Sequence, residues 1–269
     1  SDRQRECVTL TALTRHALAV RHEHHDWLVD LTGNRYSALF ALLAAPKRTV
    51  GFDGGWLGRF AYDERVRIPQ PEHLAQRPWR VCAPLLGTFS FAEPRPLAVL
   101  PETYDAAAVV GGLDPRRPVL IVAPGSGWPA KEWVPTHFRE VVRRATRQGV
   151  QVAVCGDGRQ QELCMDVAAG GDPSMTRQVV GWHLGRVMAL LSGCSAFIGN
   201  DSGLGHLAAA YSRPVLTLFT GATDPRLCAP LGSRVTILNT RSSATTAELV
   251  ADWVMNVISP TATQMPGIA

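Results

Sequence analysis

The chain is 269 residues long, 46% hydrophobic and 19% charged, a composition that excludes a disordered polymer and supplies a sizeable core. Its longest nearly apolar stretch, 36–45, is far shorter than the roughly 18 residues needed to span a bilayer, and no leader pattern opens it, so neither membrane spanning nor secretion is expected. The net charge of +4 rests almost wholly on arginine, with Lys47 and Lys131 the only lysines; the excess points to anionic ligands or a membrane surface and is too weak to indicate nucleic acid as a partner.

Taken in order, the first hundred residues read as α/β that starts in mid-pattern. A helix over 10–24 leads into the apolar run 27–31, a Gly33-Asn34 turn, a helix through Ala44 and a short strand at 49–52. A doubly wound domain ordinarily opens on a strand and its glycine turn; none precedes this helix, so the N-terminal domain (1–100) is expected to be incomplete. Residues 101–117, with Pro, Gly and an Asp-Pro-Arg-Arg run, have the composition of a linker. From 118 to 269 the rhythm is that of βαβ units. Strands are predicted at 119–123, 150–155, 178–180, 196–199, 215–219 and 234–238, with helices between them and a last helix over 247–258. Phe138, Val141, Val142 and Ala145 recur at helical spacing ahead of Gly149. The expected architecture is a doubly wound parallel sheet, with a polar loop at 240–246 and a frayed tail after Ser259.

Six cysteines (Cys7, Cys82, Cys155, Cys164, Cys194, Cys228) show no Cys-x-x-Cys pair, and read as small buried hydrophobes of a reduced compartment, the cytoplasm. The His22-Glu23-His24-His25 run lacks the i, i+4 pairing of a helical zinc site and reads as a solvated helix end, so no metal is expected. Trp56, Trp79, Trp128, Trp133 and Trp182 show no periodicity of a stacking platform; core and cleft-lining roles are expected.

Ligands of open α/β sheets bind beyond the carboxyl ends of the strands, where loops converge and helix N-termini present free N–H groups. Two loops qualify. The first, 124–133, offers Gly125 and Gly127 for close backbone approach, the Ser126 hydroxyl, and Lys131 as a point charge for phosphate; it is not a Walker A loop. The second, 199–208, offers Asp201 or Ser202 as a helix cap, exposed N–H groups around Ser202 and Gly203, and His206 a turn later. Each loop alone also suits a plain turn and cap; both on one rim fit an anion site. Glu162, at a helix start above the same rim, suits ribose hydroxyls or a first-turn acid, and Thr223-Asp224-Pro225 suits a ligand contact or a turn. Gly203-x-Gly205-x-x-Ala208, with Asp224 about twenty residues on, also matches a dinucleotide fingerprint superficially. That reading leaves Ser126 and Lys131 without work.

Pro-Gly-Ser-Gly-Trp-Pro-Ala-Lys-Glu-Trp ending at Trp133, Gly-Asn-Asp-Ser-Gly-Leu-Gly-His ending at His206, and Thr223-Asp224-Pro225 together resemble glycosyltransferase family 9, the heptosyltransferases of lipopolysaccharide core assembly. The segments beginning at Leu28 and Val50 resemble the family's first domain, so the likeness covers most of the chain. The resemblance implies a GT-B fold, two Rossmann-like domains facing a cleft, and an inverting, metal-independent transfer. It implies that Ser126 and Lys131 hold the donor diphosphate, and that Ser202, Gly203 and Leu204 give it backbone N–H groups. Asp201 then contacts the donor sugar, His206 supports the phosphate end and Glu162 binds the ribose. An ADP-sugar is the implied co-substrate, with no further cofactor. A lipopolysaccharide or lipid-linked saccharide is the implied acceptor, met at the inner face of the cytoplasmic membrane through peripheral contact. The family's base is an aspartate of an opening Gly-Asp loop, and none precedes Ser1; Asp30 and, behind it, Asp53 are the candidates in its place, each better suited to a cap or turn. The rival readings are a silent nucleotide-sugar-binding protein, a protein-directed glycosyltransferase and a nicotinamide-dependent oxidoreductase.

Overall fold

Two α/β units, divided between Ala92 and Glu93, make up the computed structural model. It describes residues 10–53, 55–87, 97, 110–114, 116–241 and 245–258. The first unit runs α1 (Leu10–His22), β1 (Trp27–Val29), α2 (Arg35–Ala44), β2 (Arg48–Phe52), α3 (Gly55–Ala61), β3 (Glu64–Val66) and α4 (Arg77–Leu86). Its three strands pair in parallel in the order β1-β2-β3. Asn34 starts α2 by accepting from the Tyr36 and Ser37 amides, while the Ser37 hydroxyl accepts from the Asn34 amide, a reciprocal cap. Gly51 leaves room for the Tyr62 ring, which would lie 2.6 Å from a Cβ at that position. The Tyr62 hydroxyl, so placed, donates to Asp30.

The second unit continues with β4 (Val119–Ala123), α5 (Pro135–Arg147), β5 (Gln151–Gly156), α6 (Gln161–Ala168), β6 (Thr176–Val180), α7 (Leu184–Gly193) and β7 (Ala196–Asn200). It ends with α8 (Gly203–Ala210), β8 (Val215–Phe219), α9 (Pro225–Cys228), β9 (Val235–Asn239) and α10 (Ala247–Ile258). All six strands are parallel, in the order β6-β5-β4-β7-β8-β9. Alternate residues of β4 feed two cores. Leu120 and Val122 meet Phe138, Val141 and Val250 from α5 and α10, while Val119 and Ile121 meet Leu190, Leu191 and Ala208 from α7 and α8. A sheet covered on both faces reads as continuous apolar runs, which is why its strands were legible in the sequence.

Several expectations are corrected. Helices α3 and α4 and strand β3 occupy a stretch with no predicted element, because they are short and, in α3 and α4, interrupted by glycine or proline. The predicted linker is not wholly a linker: Val110 and Leu113 pack on the second core, and the Asp114 amide donates to Gln151 Oε1 at 2.6 Å. Residues 101–109 and 115 of that linker, the tail after Ser259, 242–244 of the polar loop and Cys7 lie outside the described residues. Trp133 is buried as expected, whereas Trp56 and Trp79 stand on the surface instead of in a core. Cys155, Cys164 and Cys194 are buried, and burial pushes the Cys194 thiol up to about 12.

The Tyr62–Asp30 bond is a test of the first unit. Burial raises the Asp30 carboxyl, but hydrogen bonds from Ser37, Tyr62, Gly33 and Thr32 outweigh it and hold the group below its ordinary value. A carboxyl lowered by folding stabilises above its unfolded pKa, and that stability drains away as pH falls through the folded one. Tyr62→Phe should cost about 1.5–3 kcal/mol at neutral pH in urea unfolding, the scale of a hydrogen bond to a charge, and the loss should shrink in acid. A loss of equal size at acid and neutral pH would contradict it.

Candidate functional site

Chain order in the second sheet reverses between β4 and β7: from β4 it steps to β5 and β6, then returns to β7 on β4's other side. Beyond the carboxyl ends of two such strands the connections diverge and leave a crevice. The loops that rim it are 124–134 after β4 and Asp201–Ser202 after β7. These are the two loops singled out by sequence, brought together by strand order.

Asn200, the last residue of β7 and fully buried, ties them. Its Oδ1 accepts from the Trp133 amide at 2.9 Å and its Nδ2 donates to the Pro124 carbonyl at 2.6 Å. Next to it Asp201, only 6% exposed, forms an ion pair with Lys131, Nζ to Oδ2 at 2.7 Å. The same oxygen accepts from the Thr223 hydroxyl at 2.8 Å and lies 3.8 Å from the Cys228 thiol. Thr220, at the end of β8, holds the lysine's turn through its hydroxyl, which donates to the Ala130 carbonyl at 2.6 Å. Burial and the Asp201 charge raise the Cys228 thiol, which keeps it a neutral donor there.

On the other side of the crevice, Ser126 accepts from and donates to Trp128 through its hydroxyl, and its amide donates to Glu132 Oε1 at 2.9 Å. Gln160 closes the corner: its Nε2 donates to the Ser126 carbonyl at 3.0 Å and its Oε1 accepts from the Asp157 amide at 3.1 Å. A Cβ on Gly125 would lie 2.3 Å from that carboxamide, so a larger residue there would displace the Gln160 side chain. Ser202 precedes α8 in extended conformation without capping it, and its Oγ is buried with no hydrogen-bond partner. A buried unsatisfied hydroxyl at a helix start, where N–H groups point outward, is what an anion would satisfy. A Cβ on Gly203 would meet open space, so the approach there is clear.

Between these loops lies a cavity of about 250 Å³. Its lining joins polar Ser126, Asp157, Gln160 and Ser202 to apolar Val179, Trp182, Leu184, Val187 and Leu204. Arg186 stacks over Trp182, guanidinium to ring centre 3.6 Å. An apolar slot opening onto anion-seeking groups fits a flat heterocycle joined to phosphate.

Of the residues expected at the site, Ser126, Ser202 and Leu204 line this cavity, and Lys131, Asp201 and Gly203 lie on the same two loops outside its lining. Glu162 is exposed in the first turn of α6, the helix start expected for it, and lies outside the cavity lining, which Asp157 and Gln160 beside the preceding 3-10 turn join. His206 lies on the exposed side of α8, at the end of its first turn and also outside the lining. Asp30 is committed to the fold, since Thr32 and Gly33 amides bond Oδ1 at 2.7 and 3.0 Å and Tyr62 bonds Oδ2. Asp53 is half-exposed with Arg65 at 3.7 Å. Thr223 was singled out in its Thr-Asp-Pro triplet, whereas Asn200, Gln160 and Cys228 were given no role at the site; of these, Gln160 carries the signal of a capping box with Asp157. Asp224, the acid of the dinucleotide fingerprint, caps α9 and pairs with Arg226 at 2.7 Å, so its carboxylate is already engaged. Among the described residues no three His, Cys, Asp or Glu side chains are placed to hold a metal ion, and no helix is long and apolar enough to cross a membrane.

The strand order and the crevice at its reversal point define a Rossmann-like α/β unit. The chain belongs to glycosyltransferase family 9 (heptosyltransferase), whose model matches residues 13–255. It is 27% identical over 237 residues to lipopolysaccharide heptosyltransferase 2 of Escherichia coli K12, a match covering 82% of this chain and 66% of that protein. It is 31% identical over 186 residues to lipopolysaccharide heptosyltransferase 1 of Pseudomonas aeruginosa, covering 63% and 52% respectively. The chain therefore spans just under two thirds and about half of these relatives. The fold is that of E. coli ADP-heptose lipopolysaccharide heptosyltransferase II, with a TM-score of 0.75 at 20% identity over 93% of this chain and 81% of that one. E. coli heptosyltransferase WaaC, solved with ADP, gives 0.72 at 22% identity over 95% and 81%. The GT-B fold expected from sequence is thus shown.

The loop junction can be checked without any ligand. Asn200→Ala should destabilise the protein by about 1–3 kcal/mol for each of the two backbone groups it strands, measured by denaturant unfolding. A change under about 0.5 kcal/mol, the scale of an ordinary surface substitution, would show that Asn200 does not tie the loops.

Proposed function

We propose that the chain transfers a heptose-like sugar from an ADP-sugar to a lipopolysaccharide core acceptor, with inversion and without a metal ion. The observation that carries this reading is the meeting of Lys131, Asp201 and the unpartnered Ser202 hydroxyl at the reversal point of the second sheet, beside an apolar slot. The base lies in the slot among Val179, Trp182 and Val187; Asp157 or Gln160 meets the ribose; Lys131, Ser126, Ser202 and the α8 amides of Gly203 and Leu204 face the diphosphate. His206 backs the phosphate end only if the ligand reaches along α8.

In such a transfer an acceptor hydroxyl oxygen attacks the anomeric carbon opposite the diphosphate. The sugar–oxygen bond to phosphate breaks, its electron pair leaves with ADP, and the hydroxyl proton passes to a base. Negative charge grows on the departing diphosphate, and a lysine with a helix N-terminus aimed there stabilises the transition state more than the ground state. Between Asp30 and Asp53, only Asp53 keeps the accessible carboxylate that a proton acceptor requires.

A membrane-bound acceptor is supported by the first unit. Helices α1 to α4 contain Arg15, Arg21, Arg35, Arg59, Arg77 and Arg80 and no acidic residue. Trp56 and Phe60, on successive turns of α3, are each 73% exposed. Cationic helices with exposed aromatics suit the headgroup region of an anionic bilayer at the cytoplasmic face.

Calorimetric titration tests the donor site: ADP-heptose should bind and NADH should not, and Lys131→Ala should weaken the sugar nucleotide by about 1.5–3 kcal/mol. Preference for NADH would support the oxidoreductase instead. Binding with no product, from either a saccharide or a polypeptide acceptor, would leave a silent donor-binding protein. Vesicles containing phosphatidylglycerol should co-sediment with the protein, and Trp56→Ser with Phe60→Ser should reduce that about tenfold. Unchanged sedimentation would exclude α3 as the contact.

A further inference from the structure

Lys131, the cation that the donor-site reading turns toward the diphosphate, is paired with Asp201. Asp201 is buried, so its charge is poorly screened and cannot be left without donors at low cost. A nucleoside diphosphate that draws the ammonium toward itself leaves the carboxylate with the Thr223 hydroxyl and a distant thiol. It also brings a second anion close to the first. The penalty is greatest for the free nucleoside diphosphate, whose terminal phosphate bears one more negative charge than its sugar ester. The sugar ester has hydroxyl groups that can donate to Asp201 in place of the ammonium.

We infer that Asp201 is a counter-charge that discriminates against the leaving nucleotide: through its pair with Lys131 it makes the site bind the sugar nucleotide better than the bare diphosphate, and so promotes product release. This rests on the donor-site reading above. It differs from a simple sugar contact in its sign, since removing the charge should improve binding of one ligand. Asp201→Asn keeps the size and a hydrogen-bonding oxygen for Thr223 while freeing the lysine.

Titration of the full chain with ADP and with ADP-heptose decides the matter. In the unmodified protein ADP-heptose should bind about tenfold or more tightly than ADP, a margin set by one charge interaction. Asp201→Asn should tighten ADP about tenfold and leave ADP-heptose equal or weaker, collapsing the margin. The gain should vanish when Lys131→Met is added, because it acts through the lysine. Weaker ADP binding by Asp201→Asn, or equal affinities for both ligands in the unmodified protein, would overturn the inference while leaving the donor site intact. The second comparison needs no variant and stands even if Asp201→Asn does not fold. Binding of neither ligand to the unmodified protein would overturn the donor-site reading as well.

Discussion

A lysine and an aspartate separated by 70 positions in the chain share one part-buried ion pair where the strand order of the second sheet reverses. Much of the second unit serves to make that meeting hold. The pairing of β4 with β7 sets the two loops side by side, and Asn200 fastens the backbone of one to the end of the other. Thr220 and Thr223, both following β8, fix the lysine's turn and the carboxylate from a third direction. A pair of this kind adds little to stability compared with an apolar filling of the same volume. Its presence at a ligand crevice therefore points to function.

The first unit makes the opposite use of a buried carboxylate. Asp30 also follows a strand, but its acceptor positions are filled by its own turn and by Tyr62. The result is a brace between the β1–α2 turn and the residue after α3. Asp201 is held by side chains that a ligand can replace, whereas Asp30 is held mostly by backbone amides that it cannot.

Much of this was legible in the sequence, and the parts that were not share a cause. Strands β4 and β8 were located to the residue because a parallel strand covered on both faces is an unbroken apolar run. Lys131 stood out because the chain has so few lysines, and the Asp-Ser-Gly run because it follows a strand and opens a helix. The ion pair itself was not legible, since it depends on which strands are neighbours. Asn200 carries no local signal and Gln160 only that of a capping box with Asp157; their value at the crevice lies in backbone partners 76 and 34 positions away. Glu162 stands in the first turn of α6, the helix start read from sequence, and the 3-10 turn before it adds Asp157 and Gln160 to the cavity lining. The short elements α3, β3 and α4 have too few residues for a period to show.

The scarcity of lysine also supplies the most direct test that Lys131 is the phosphate-facing cation. Protein labelled with ¹³C at lysine Cε gives signals from Lys47 and Lys131 alone, assignable with a Lys47→Arg variant. On saturation with ADP-heptose the Lys131 signal should move as its ammonium turns from Asp201 to the diphosphate, while Lys47, exposed and paired with Asp26, should stay in place. An unmoved Lys131 signal in protein shown by calorimetry to be saturated would contradict the account.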